Sequence, residues 1–202
     1  MKKSLIFVVT IAALAGCETL YTPPTEQETQ AVIKAGFRDR GIAKVERLNQ
    51  SELQQQCTKH GNNPPKDVRA RLEKAALATV KYPADGNWLG DFKLGERIAQ
   101  TGAGLQWTDS PQSVAGGNCY ACHQLSKAEI SYGNIGPTLY NYGKLRGSGE
   151  DVARYTWAKI WNTNSFNACS SMPRFGDAGV LTEEQIRHLM ALLLDPNSPV
   201  NK

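Results

Sequence analysis

Cys119-Tyr120-Ala121-Cys122-His123 is the stretch of this chain whose residue types and spacing could do chemistry. Two thiols at that separation on an incipient helix reach the two vinyl groups of one porphyrin, and the adjacent imidazole can face its iron. C-x-x-C-H is the spacing that attaches c-type haem. Zinc is the competing use of such side chains. The motif supplies only three ligands, however, and no second Cys/His cluster closes a tetrahedral site. A redox dithiol needs a βαβ setting, and no alternating strand pattern is visible. The expectation is one covalent haem c, held by Cys119 and Cys122, with His123 as an axial ligand of the iron.

The sixth ligand has few candidates. The methionines are Met1, Met172 and Met190, and the histidines are His60, His123 and His188. Met1 would leave with an export signal. Met190 falls on the apolar stripe of a terminal helix and reads as core. His188 falls off that stripe and is expected to be solvated. His60, beside Gly61-Asn62-Asn63, reads as a surface-loop residue. Met172 lies in Ser170-Ser171-Met172-Pro173-Arg174-Phe175-Gly176, a turn segment without helical periodicity. Pro173 lacks a backbone donor and stiffens that segment. A stiff loop presenting a thioether is what an axial Met requires, so Met172 is the expected second iron ligand. The competing reading is a loop Met packed on the haem edge.

Helices must position these groups. The chain has 202 residues, 41% hydrophobic and 21% charged, enough for one domain with a core and an extension. That composition excludes a disordered chain, a repeat array and a multi-span membrane protein. The formal charge of +4 would fall to +2 on loss of Lys2 and Lys3 with a signal. With no basic run, this argues against a nucleic-acid partner. Thr25-Glu26-Gln27-Glu28 is a capping-box pattern opening an irregular helical segment that Gly36 and Gly41 interrupt. Further helices are expected over 67–80, 92–99, from Tyr120, and over 151–161. The last starts at Thr182-Glu183-Glu184-Gln185, buries Ile186, Leu189, Met190 and Leu193, and stops at Asp195-Pro196. The fold class is all-α. The expected organisation is a signal peptide over 1–16, a tether and helical extension over 17–85, and a cytochrome c domain over 86–202.

Met1-Lys2-Lys3 followed by an apolar stretch to Ala15 has the layout of a secretory signal. Leu14-Ala15-Gly16-Cys17 resembles the lipobox of bacterial lipoproteins, in which the Cys becomes the first mature residue and carries acyl chains. Lipidation of Cys17 and a periplasmic, membrane-anchored protein are expected. Either type of signal puts the chain outside the cytoplasm, where disulfides persist.

The order of C-x-x-C-H, Gly136-Pro137-Thr138-Leu139, a Met-Pro loop and a terminal amphipathic helix resembles class I cytochromes c. That resemblance implies that the Pro137 carbonyl accepts a hydrogen bond from His123 and fixes its tautomer. Over about 88–201 the chain is similar to the SoxX family. The likeness is carried by Gly117 to Gln124, Gly133 to Pro137, Met172-Pro173-Arg174-Phe175-Gly176 and Leu192 to Asn201. SoxX proteins are the monohaem subunits of the SoxXA thiosulfate-oxidising cytochrome. The resemblance implies an electron acceptor beside a SoxA-like dihaem or monohaem cytochrome subunit. In such a complex thiosulfate is joined to a cysteine of the SoxYZ carrier, an L-cysteine S-thiosulfotransferase reaction. Electrons then pass to a downstream cytochrome c or oxidase. The rival readings are a general electron-transfer cytochrome c, and a haem enzyme or sensor whose iron keeps an open position.

The remaining cysteines follow by arithmetic. Of five, Cys17 would be lipidated, and Cys119 and Cys122 would hold haem. Cys57 and Cys169 are left, and outside the cytoplasm an even pair suggests a disulfide. It would tie the extension to the Met172 loop. The alternatives are two free thiols or a sulfur-carrying nucleophile.

Overall fold

Short polar side chains cap four of the helix starts among the described residues, at Thr25, Ser51, Asp91 and Thr182. The computed structural model describes residues 22–202. The expected signal over 1–16 and Cys17 lie outside the described residues. In the N-terminal unit, Met1–Arg38, helix α1 (Glu26–Gly36) starts on Thr25. The Thr25 hydroxyl accepts from the Glu28 amide while the Glu28 carboxylate accepts from the Thr25 amide, the expected capping box. α1 buries no residue and ends as Phe37 turns extended.

The second unit runs from Asp39 to Lys202, continuous through the boundary expected at 85. Its helices are α2 (Glu52–Lys59), α3 (Lys66–Ala78), α4 (Phe92–Gln100), α5 (Tyr142–Arg146), α6 (Glu150–Trp161) and α7 (Glu183–Leu194). Single 3-10 turns stand at Val45–Leu48, Cys119–Ala121, Thr163–Ser165 and Pro199–Asn201. Apart from these, the described residues hold turns, loops and one isolated antiparallel bridge, Arg40–Ala43, so the class is all-α. No helix among them is long and apolar enough to cross a membrane.

α7 is the centre of the core. Its Thr182–Gln185 capping box forms as the sequence predicts. Ile186, Met190 and Leu192 are fully buried, together with Trp157 of α6 and Val200. α4 packs across α7 at Gly95, where a Cβ would run into the His188 carbonyl and the Leu192 side chain. Only glycine lets the two backbones come this close. The crossing corrects the expectation of a solvated His188. Its ring is drawn under the start of α4, where the Asp91 amide donates to Nδ1 at 2.9 Å, and the side chain is 14% exposed. At the far end of α7, Asn201 donates from Nδ2 to the Leu193 and Asp195 carbonyls. Its Oδ1 accepts from the Gly143 amide at the start of α5. One buried amide side chain thus satisfies two helix ends.

α3 is fixed to α6 and the turn that follows it. Trp157 Nε1 donates to the Lys81 carbonyl at 2.8 Å, and Trp161 Nε1 to the Thr79 carbonyl at 3.1 Å. Asn162, 3% exposed, donates to Thr79 Oγ1. Buried polar groups need such partners, and here all three are supplied by residues 79–81.

Candidate functional site

The C-x-x-C-H stretch is reached from α4 through the loop 101–118, whose end folds back on the helix. The Gly117 amide donates to the Ile98 carbonyl at 2.8 Å and the Asn118 amide to the Thr101 carbonyl at 2.9 Å. Asn118 then takes a left-handed conformation, φ 45°, and opens the 3-10 turn Cys119–Ala121. The His123 amide bonds back to the Cys119 carbonyl at 2.9 Å, so both cysteines and the histidine ride on one tight turn. Gln185 of α7 reaches across to the Ala115 carbonyl and ties the terminal helix to the loop before the motif.

The chain returns to this turn through residues 133–139. The Gly133 amide donates to the Tyr120 carbonyl, the Gly136 amide to the Cys122 carbonyl and the Leu139 amide to the Gln124 carbonyl, each at 2.8 Å. These bonds bring Pro137 to the imidazole. His123 Nδ1 lies 2.6 Å from the Pro137 carbonyl oxygen. A carbonyl only accepts, so Nδ1 carries the proton and Nε2 presents its lone pair. Among the described residues Nε2 has no hydrogen-bond partner. Gly136 lies flat against the same ring, and a Cβ there would overlap the imidazole carbon and both nitrogens. The sequence reading quoted Gly136 only as part of a motif. Its role as the floor of the imidazole is visible only once the loop is folded back.

The two thiols of the motif are free cysteines. Burial pushes the Cys119 thiol up to about 12, which holds it neutral. A neutral buried thiol is a poor redox nucleophile. Among the described residues no group of three or more His, Cys, Asp or Glu side chains is arranged to hold a metal ion. The donor set is two free cysteines and one imidazole with a fixed tautomer. These residues fit a haem held through two thioethers and one nitrogen. Ile135, next to Gly136, is an apolar side chain left 79% exposed.

Met172 comes from another part of the chain. It is half-buried and packs against the core cluster that contains Trp161, Phe175 and Leu181, the cluster on which Cys119 also rests. Its loop is fixed at its far end by the Gly176 and Asp177 amides, both donating to the Trp161 carbonyl. At its near end Cys169 is joined to Cys57 by a disulfide, with the two Cα atoms 5.6 Å apart. Met190 is 0% exposed within the core. His60 ends α2 as its C-cap. Sequence reasoning missed Glu73, whose Oε1 accepts from the Ala168 amide at 3.1 Å, because nothing in the pattern of α3 marks that one carboxylate.

An all-α unit with a C-x-x-C-H turn, a folded-back Gly-Pro loop and a disulfide-tied Met loop is the class that fold and site define. No protein-family model matches the chain. An uncharacterized lipoprotein of Aquifex aeolicus (strain VF5) is 33% identical over 210 residues, covering 100% of each chain. The chain belongs to the same family as that lipoprotein.

Proposed function

We propose that this protein is a monohaem c-type cytochrome of class I fold. It would accept electrons in thiosulfate oxidation as the SoxX-like subunit of a SoxXA complex. The observation that carries the haem reading is the His123–Pro137–Gly136 arrangement beside two free cysteines. Cys119 and Cys122 would add their S–H bonds across the two vinyl groups, a step that needs no oxidant. Haem iron supplies a one-electron ferric/ferrous couple. Pro137 keeps the proton on Nδ1 and so keeps Nε2 available as a ligand, while Gly136 keeps the ring from rotating. Met172 would be the second protein ligand of the iron. A thioether there favours the reduced metal and raises the potential, which suits an acceptor. With His123 and Met172 both holding the iron, this chain would serve electron transfer, and binding of the sulfur substrate would fall to the partner.

The SoxX reading draws support from the motif order and the Met-Pro-Arg-Phe-Gly loop. The partners it names are a SoxA-like cytochrome subunit, the SoxYZ carrier and a downstream cytochrome c or oxidase. The relative's name adds weight to lipidation of Cys17, which would anchor the chain to a membrane on the periplasmic side. Co-purification tests the whole reading. The native protein should bring down a SoxA-like haem subunit, and the pair should release electrons to an acceptor when given thiosulfate and carrier. Purification of a haem-loaded monomer that is indifferent to thiosulfate would favour the general electron-transfer cytochrome.

A further inference from the structure

The segment before the haem motif has no part in the proposed function, yet it supplies the distant fixings of the Met172 loop. Cys57 of α2 is bonded to Cys169. Glu73 of α3 accepts the Ala168 amide at 3.1 Å, and Asn164 Nδ2 donates to the Ala168 carbonyl at 2.8 Å. Ala168 is 0% exposed, so its amide has no water to turn to if Glu73 is lost. Thr163 Oγ1 donates to Ser170 Oγ at 3.1 Å, and the Met172 amide donates to the same oxygen at 3.3 Å. Glu73 and Asn164 thus hold Ala168, and Thr163, the residue before Asn164, holds through Ser170 the Met172 amide four residues further on.

We propose that α2 and α3 clamp the axial loop, and that Glu73 is a positioning residue which sets where the Met172 thioether stands. This rests on Met172 being the iron ligand. A thioether is a weak, neutral ligand, and the ordering entropy of a free loop would be charged against it at every ligation. A loop already ordered by the clamp avoids that cost. The Glu73 carboxylate also faces Lys159, whose ammonium is pushed below the ordinary lysine value by burial. A glutamine at this position keeps the oxygen acceptor and removes the charge, so it separates the two roles.

The test uses the full-length, haem-loaded ferric protein titrated with imidazole, alongside amide exchange over residues 167–172. Glu73→Ala should raise the apparent imidazole affinity about tenfold, the factor that one unsatisfied buried amide can supply, and should speed exchange at Ala168 and Met172. Glu73→Gln should restore both. Cys57→Ser should move both readouts in the same direction as Glu73→Ala, and it serves if that variant does not fold. A Glu73→Ala protein with a lower Tm but wild-type imidazole affinity overturns the proposal, since a merely structural role would give that result. A Glu73→Gln protein that behaves like Glu73→Ala overturns it too, by assigning the effect to charge. Met172→Ala separates the two failures. If it leaves the titration unchanged, Met172 is no ligand and the reading beneath the proposal falls. If it opens the iron to imidazole while Glu73→Ala does not, only the clamp falls.

Discussion

The two sides of the candidate haem site are built in opposite ways. The His123 side is assembled from one short stretch. The Cys119 turn, the return at 133–139 and the Pro137 contact all lie within about twenty residues of chain, and their bonds are mostly backbone to backbone. The Met172 side is held from far away. Its disulfide partner is 112 residues distant and its Glu73 contact 95 residues distant. Local closure needs little loop entropy and can form early, whereas distant closure costs more and depends on the rest of the fold. The attachment side should therefore be robust to damage elsewhere, and the Met side should fail first.

Cys119→Ala combined with Cys122→Ala is the largest perturbation of the local side. It should abolish covalent haem entirely, as read by haem stain of the denatured chain, and leave the Cys57–Cys169 bridge intact. Cys57→Ser is the matching break on the distant side. The bridge closes a loop of 112 residues, and its removal should destabilise the fold by about 4–5 kcal/mol on chain-entropy grounds. It should also loosen the Met172 band in the oxidised spectrum while haem stays covalently attached. Thermal unfolding and the spectrum of the same sample check both halves. Loss of haem attachment in Cys57→Ser would show the two sides to be coupled and would break the comparison.

Smaller effects sharpen it. Met190→Ala should cost about 2–5 kcal/mol, because a fully buried side chain leaves a cavity, with no change in the iron spectrum. Met172→Ala should do the reverse, giving high-spin or exchangeable iron and a lower potential with little stability change. Denaturant titration beside visible spectra distinguishes them, and an interchange of the two outcomes would reassign the ligand. Gly136→Ala should cost about 1–3 kcal/mol, since the new methyl displaces the imidazole. Its signature should be confined to the His123 ring resonances, leaving Met172 where it was.

The same local-versus-distant split decided what the sequence could reveal. Capping boxes at Thr25 and Thr182 and the apolar stripe of α7 are short-range patterns, and each stands in the structure where its residues imply, whereas the helix expected from Tyr120 is only the 3-10 turn Cys119–Ala121. The Cys57–Cys169 bridge was reachable only by counting cysteines, because no spacing rule links residues so far apart. Glu73 and Asn162 were not reachable at all: one carboxylate and one amide among many gain their role from the neighbour the fold brings. His188 was misread for the same reason. Helical periodicity placed it off the core stripe, but the α4 crossing at Gly95 covers that flank of α7.

Covalent haem on Cys119 and Cys122 is tested most directly by the intact mass of the mature protein together with its thiol count. The denatured chain should carry the mass of one haem and show no titratable thiol at Cys119 or Cys122. A denatured chain free of haem, with both thiols reacting, would contradict it.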